Sequence, residues 1–487
     1  MKKSYLIEVL EKLSPKQMKE LSELVQSPFF NKNESIIRLF EYLRIQYPEF
    51  KSENIEKEIV HKKIFNLDKY NDNFMRMLIF KLTYLAEEYL AYTHFKSDPY
   101  EESMHLINTL LDMDLDNDAR KQINQLGKKI NITDTNREYY KNKYELERFK
   151  TVIYSRTYRP VTVKDKPDES LLEESNNLTA FFLISILQRY RYLLNKSYSV
   201  NIKYKPEFLP YITEFLEGEG KAYLNILMIS LLYKQIMLLK DYSREDLIEE
   251  LIDELTNDKL KIDDEERRDG LTVMGNVCIE KAYEGKQVYY EKLLNIYKYL
   301  ISKNLYNRVR GRYFESEMFH NIVTLGLKLD ETEWIRGFIE KFYKKLAPDT
   351  QANTYNFSYA KLYFKTRDFE KALESIAKVA YTDLHMKINV RITAITILFE
   401  LQKIEEVLTQ IENFRKYIQN DKLLSTVHKK ISSNFIKFTS ALCKAKYSTG
   451  TDLRELKKNI AEADQVSNRV WLLNKTDELM ELRKDWK

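Results

Sequence analysis

Apolar residues recur along most of this chain at helical spacing. Ser14-Pro15-Lys16-Gln17 reads as an N-cap, a proline at the first helical position and a capping-box glutamine. Met18, Leu21, Leu24 and Val25 then follow on one helical face until Ser27-Pro28 ends the element. The next stripe is Ile36, Ile37, Phe40, Leu43 and Tyr47, stopped by Pro48. Further helices are predicted over Lys51–Phe65, Tyr70–Tyr92, Tyr100–Leu115, Asn117–Lys129 and about Thr135–Tyr158. Thr157–Ser170 has two prolines and the extended triplet Val161-Thr162-Val163, and is read as a loop. Asn195–Pro210 and Glu217–Gly220 read as irregular, and the helical pattern then runs to Trp486.

Composition agrees with this pattern. The 487 residues include only 10 Gly and 9 Pro, too few for the turns of a β-rich or α/β fold. The expected class is all-α: a right-handed α-α superhelix of helical hairpins with an irregular N-terminal helical region. Three regions are expected, 1–160, 161–305 and 306–487. The most apolar segment, Ala222–Leu239, carries Asn225, Lys234 and Gln235 and is read as a buried helix, so no membrane span is expected. Glu8 and Glu11 interrupt the N-terminal apolar stretch, and no leader peptide is expected. Two distant cysteines, Cys278 and Cys443, make no disulfide framework and fit a cytoplasmic setting.

Asn353–Val379 resembles one tetratricopeptide repeat. Ala360 occupies the small position of its first helix and Tyr363 the aromatic one a turn later. Asp368 to Leu373 matches the turn and the start of the second helix, where Ala372 is small. Steps of 34 residues, the period of that repeat, reach Gly326 and Ala394, both small. Three units are therefore expected over Glu317–Ile418, with Val407, Ile411 and Phe414 on an inner face. The whole chain also resembles a family of uncharacterised bacterial helical-repeat proteins. That resemblance rests on Ser27-Pro28-Phe29-Phe30-Asn31-Lys32, Tyr47-Pro48-Glu49-Phe50, Phe399-Glu400-Leu401 and Phe414-Arg415. It implies no activity.

Charge is unevenly distributed. Asp241–Asp269 holds 13 acidic and 5 basic residues, and Arg415–Lys458 holds 11 basic and 3 acidic. Chemistry-bearing motifs are scarce. The sequence has no glycine-rich phosphate loop and no G-x-S-x-G elbow. Glu102–His105 and Glu317–His320 are Glu-x-x-His units of the kind used by di-iron bundles, weighed against chance matches. No cofactor, metal or catalytic residue is expected.

The leading expectation is a non-enzymatic protein-binding or scaffold protein using a helical-repeat groove. In the best unit that groove is lined by Thr354, Phe357, Lys361, Phe364 and Lys365; in the next, by Ile388, Arg391, Ile395, Leu398 and Phe399. Aromatics with cations suit an acidic peptide or a carboxylate. The apolar second set either takes a hydrophobic helix or is covered by later helices of the chain. A second reading is an RNA-associated protein. It rests on Arg308, Arg310 and Arg312 within Tyr306–Phe314, and on seven cations among the tyrosines of Asn136–Pro160. A ligand-sensing solenoid is a third.

Overall fold

The structure, a computed structural model, describes residues 1, 4–65, 70–130, 136–157, 169–200, 204–307, 313–380, 384–421, 424, 426–447, 450–463 and 465–484. Among them the regular structure is helical throughout, apart from two isolated bridges at Phe314. Contacts divide the chain into two compact units, Met1–Ser185 and Ile186–Lys487.

The first unit holds α1 (Tyr5–Lys12), α2 (Pro15–Gln26), α3 (Glu34–Ile45), α4 (Lys57–Phe65) and α5 (Asp72–Ser97) around one core. The capping box forms as the sequence indicates: Gln17 N donates to Ser14 Oγ at 3.3 Å, and Ser14 N donates to Gln17 Oε1 at 2.9 Å. Then α6 (Pro99–Asp112), α7 (Asp116–Lys129) and α8 (Arg137–Thr157) share a second core around Ile107, Leu126 and Phe149. The helix expected over Lys51–Phe65 is shorter, because a 3-10 turn at Ser52–Asn54 precedes α4. The loop read between Thr157 and Ser170 falls mostly outside the described residues.

The division between the units lies inside α9 (Glu169–Val200), where no proline or glycine marks it. The irregular stretch expected from Asn195 therefore starts later. The second unit continues with α10 (Leu209–Glu217), α11 (Leu227–Lys240), α12 (Glu245–Thr256), α13 (Asp264–Tyr283) and α14 (Val288–Ser302). Next come α15 (Ser316–Lys328), α16 (Thr332–Phe342), α17 (Pro348–Lys365) and α18 (Phe369–Ala377). α19 (Leu384–Glu400), α20 (Ile404–Asn420), α21 (Thr426–Tyr447), α22 (Leu453–Glu462) and α23 (Arg469–Lys484) complete it. From α11 to α23 each helix packs on the next, and α15, α17 and α19 also touch in series. The apolar segment before Leu239 is the buried helix α11, and among the described residues no helix is long and apolar enough to cross a membrane.

Four helices of the second unit end by a route that does not use glycine. Asn304, Asp330, Arg367 and Gln402 all have φ near 60°. At each, the following amide donates back to the carbonyl five residues earlier: Leu305 to Leu300 at 2.8 Å, Glu331 to Gly326 at 2.9 Å, Asp368 to Tyr363 at 2.9 Å and Lys403 to Leu398 at 3.0 Å. This is the Schellman closure, which uses a left-handed residue to satisfy the last carbonyls of a helix. The hairpins α15–α16, α17–α18 and α19–α20 thus share one turn geometry. Between them small residues allow close approach. Ala360 and Ala372 are fully buried in the α17–α18 seam. A Cβ on Gly326 would lie 2.4 Å from Ile335 Cδ1. The inner positions Val407, Ile411 and Phe414 of α20 are buried.

At the other end of this unit a polar cluster is sealed in. Arg191 of α9 and Glu266 of α13 form an ion pair with both side chains about 95% buried. Gln188 Nε2 donates to Glu266 Oε2 at 2.9 Å, and Arg191 Nη1 donates to Gln235 Oε1 of α11 at 3.2 Å. Next to it Arg267, also buried, donates to the Leu255 and Leu260 carbonyls at the end of α12.

Removing one partner of a buried pair leaves the other charged and unanswered, at a cost of about 3–5 kcal/mol. Arg191→Met is accordingly expected to lower stability by about that much in urea unfolding. Adding Glu266→Leu should recover most of the loss. Gly326→Ala should cost about 1–3 kcal/mol by overpacking, despite the better helix propensity of alanine. The combination with Ile335→Ala should cost less than the sum of the two single changes.

Candidate functional site

The residues named for the groove fall on α17 and α19, and the structure treats them unequally. Phe357 is a core side chain in the α17–α18 seam, and Thr354 is buried beside it. Phe364 is half-buried, its ring 5.6 Å from that of Phe369. Lys365 reaches Asp330, in the α15–α16 turn, at 2.6 Å. On α19, Ile388, Ile395, Leu398 and Phe399 are buried in one cluster with Phe435 of α21 and Leu472 of α23. The ring of Phe399 meets that of Trp471 edge-on at 5.3 Å. Later helices of the chain thus cover this face. Arg391 lies over the ring of Tyr417 at 4.2 Å, and its Nη1 donates to the Lys387 carbonyl at 2.9 Å.

Lys361 differs from all of these. It is half-buried on α17 between two elements. Its Nζ donates to Thr324 Oγ1 of α15 at 2.8 Å and sits 4.6 Å from the centre of the Phe357 ring. His320, one turn before Thr324, packs against the same ring at 5.5 Å. Among the described residues no carboxylate lies within ion-pair distance of Lys361. Burial alone pushes its ammonium down to about 8. Sequence reasoning found Lys361 but not Thr324 or His320 as its neighbours. The 34-residue offset places Leu327 opposite Lys361, one turn from Thr324, so the signal was present but out of register.

The basic-aromatic segments take up other roles. Arg308, Arg310 and Arg312 lie outside the described residues. Tyr306 and Phe314, which flank them, are buried and stacked on each other at 4.5 Å. On α8 the cations meet carboxylates: Arg137 with Glu138 and Arg148 with Glu145 at 2.8 Å, Lys141 with Glu101 at 3.2 Å, Lys150 with Glu147 at 2.8 Å, and Arg156 with Asp116 at 2.9 Å. The two Glu-x-x-His units fall in different compact units. Among the described residues no three histidine, cysteine or carboxylate side chains cluster as metal ligands. Both cysteines are buried free thiols, and burial pushes Cys278 up to about 12 and Cys443 up to about 11.

Comparison of the chain with protein-family models, curated proteins and solved structures finds no match.

The displaced titration of Lys361 makes a pH-dependent prediction. Its folded value lies below the ordinary 10.5, so between about pH 8 and 10.5 the unfolded chain binds more protons. The desolvation cost is therefore fully present below pH 8 and relieved as pH rises through that window. Lys361→Met should stabilise the protein at pH 7 by about 1–2 kcal/mol, after allowing for partial solvent contact. That advantage should shrink at pH 10, as paired urea titrations of variant and parent would measure.

Proposed function

We propose that this chain is a non-enzymatic binding protein, with α15, α17 and α19 forming a tetratricopeptide-like groove that takes a protein or peptide partner through a carboxylate. The observation that carries the reading is Lys361: a half-buried cation held by a hydroxyl and an aromatic face, with no acidic partner among the described residues. A desolvated ammonium is costly to keep without a counter-ion. A carboxylate arriving from a partner would restore the missing charge and make a charge-assisted hydrogen bond. The Thr324 hydroxyl and the Phe357 ring fix the ammonium in place, so little side-chain freedom is lost on binding.

The groove is narrower than the sequence suggests. Buried Phe357 and the covered α19 face are not offered as contacts in this reading; Lys361, half-buried Phe364 and the Lys365–Asp330 pair are. The reduced, buried cysteines are consistent with a cytoplasmic setting. The RNA reading draws less support, because five of the α8 cations already meet carboxylates and Tyr306 and Phe314 stack on each other.

A library of random peptides with free C-termini, selected on the purified chain, tests this. Selected peptides are expected to bind through a terminal or side-chain carboxylate. Amidation, or Glu→Gln at that position, should weaken binding at least about tenfold, as for a lost charge-assisted bond. Lys361→Met should weaken it by a similar factor while leaving the circular dichroism spectrum unchanged. Selection of peptides indifferent to both changes would sink the groove assignment.

A further inference from the structure

A pocket of about 380 Å³ opens between α20 and α21, away from Lys361 in sequence and on different helices. Its rim carries Arg415 from α20, and Ser433, Lys437, Ser440 and Lys444 from α21. The four α21 residues stand at i, i+4, i+7 and i+11, which places them on one stripe of the helix. The apolar side chain of Ile436 closes part of the floor.

The charge of this stripe is not answered from within its helix. Thr426–Tyr447 holds five lysines and no aspartate or glutamate, so no i,i+4 carboxylate faces Lys437 or Lys444. Across the described residues neither lysine has a carboxylate within ion-pair distance. Arg415 pairs with Glu412, one turn earlier on α20. Three cations against one carboxylate leave an excess of about two positive charges around the pocket.

We propose that the α20–α21 pocket binds a phosphomonoester. Such a group carries a charge of about −1.5 to −2 at neutral pH and three acceptor oxygens. That matches the excess charge and the donors on the rim: one guanidinium, two ammonium groups and two hydroxyls. A carboxylate, with one charge and two oxygens, would leave donors and charge unanswered. The volume stands at the low end of small-molecule pockets, about 300–1,000 Å³, so the ester is compact. Ile436 and its apolar neighbours on the floor receive the first carbons of the esterified group.

Hexyl phosphate and sodium phosphate titrated calorimetrically into the full chain test this. Hexyl phosphate is expected to bind saturably at one site and more tightly than phosphate alone. Lys437→Gln with Lys444→Gln should weaken it at least about tenfold, the loss expected for removing charge-assisted bonds. Lys416→Gln with Lys458→Gln, an equal charge change outside the pocket, should weaken it less than about threefold. Equal weakening by both pairs, or no saturable binding, overturns the site. Vesicles containing phosphatidic acid separate the sources. Capture that depends on Lys437 and Lys444 identifies a lipid headgroup, and hexyl phosphate binding without capture identifies a soluble ester.

Discussion

Four hairpin and inter-hairpin turns of the second unit are closed by residues that carry a Cβ rather than by glycine. A left-handed residue with a Cβ costs about 1–2 kcal/mol in conformational energy, and the chain accepts that cost at Asn304, Asp330, Arg367 and Gln402. The return is a fixed turn. Each closes the helix with the same six-residue hydrogen bond, so α15–α16, α17–α18 and α19–α20 leave their turns in the same way. Because the turns are alike, first helices meet first helices in series, and Lys361 comes to rest against Thr324. The pocket at α20 and α21 lies further along the chain.

Two cations of the second unit are held in contrasting ways. Arg191 is answered by Glu266, Gln235 and Asp269 from two other helices, and it holds α9, α11 and α13 together. Among the described residues, Lys361 meets a hydroxyl and a ring and no carboxylate. In the first arrangement the buried guanidinium has its counter-charge within the fold. The second has no counter-charge among the described residues, and this contrast is what the proposed binding role of Lys361 rests on. The same contrast holds on the surface. Five of the α8 cations meet carboxylates, whereas α21 carries five lysines and no acidic residue.

Much of the helical architecture was legible because it is local. The Ser14 capping box, the stop at Ser27 and the apolar stripes of α2 and α3 each depend on residues within a few positions. The left-handed backbone at Arg367 and Gln402 was not legible, since neither residue type signals that conformation. The Arg191–Glu266 pair links positions 75 apart, beyond any periodicity. For the candidate site, Lys361 could be read from the repeat pattern, but its neighbours could not. The burial of Ile395 and Phe399 is set by α21 and α23, whose positions no local rule supplies. The pocket at Arg415, Lys437 and Lys444 left only a coarse trace, the basic bias of Arg415–Lys458.

The uncompensated ammonium of Lys361 also changes how this molecule responds to heat. Any occupant that supplies its counter-charge removes a penalty the empty protein carries, so occupancy and folding are linked through one group. The empty chain is then the less heat-resistant form of the molecule. On the proposed reading, a partner that completes one ion pair with Lys361 raises the melting temperature without contacting the hydrophobic cores. Thermal denaturation thereby becomes a reporter of occupancy, able to register a partner of unknown identity in a mixture.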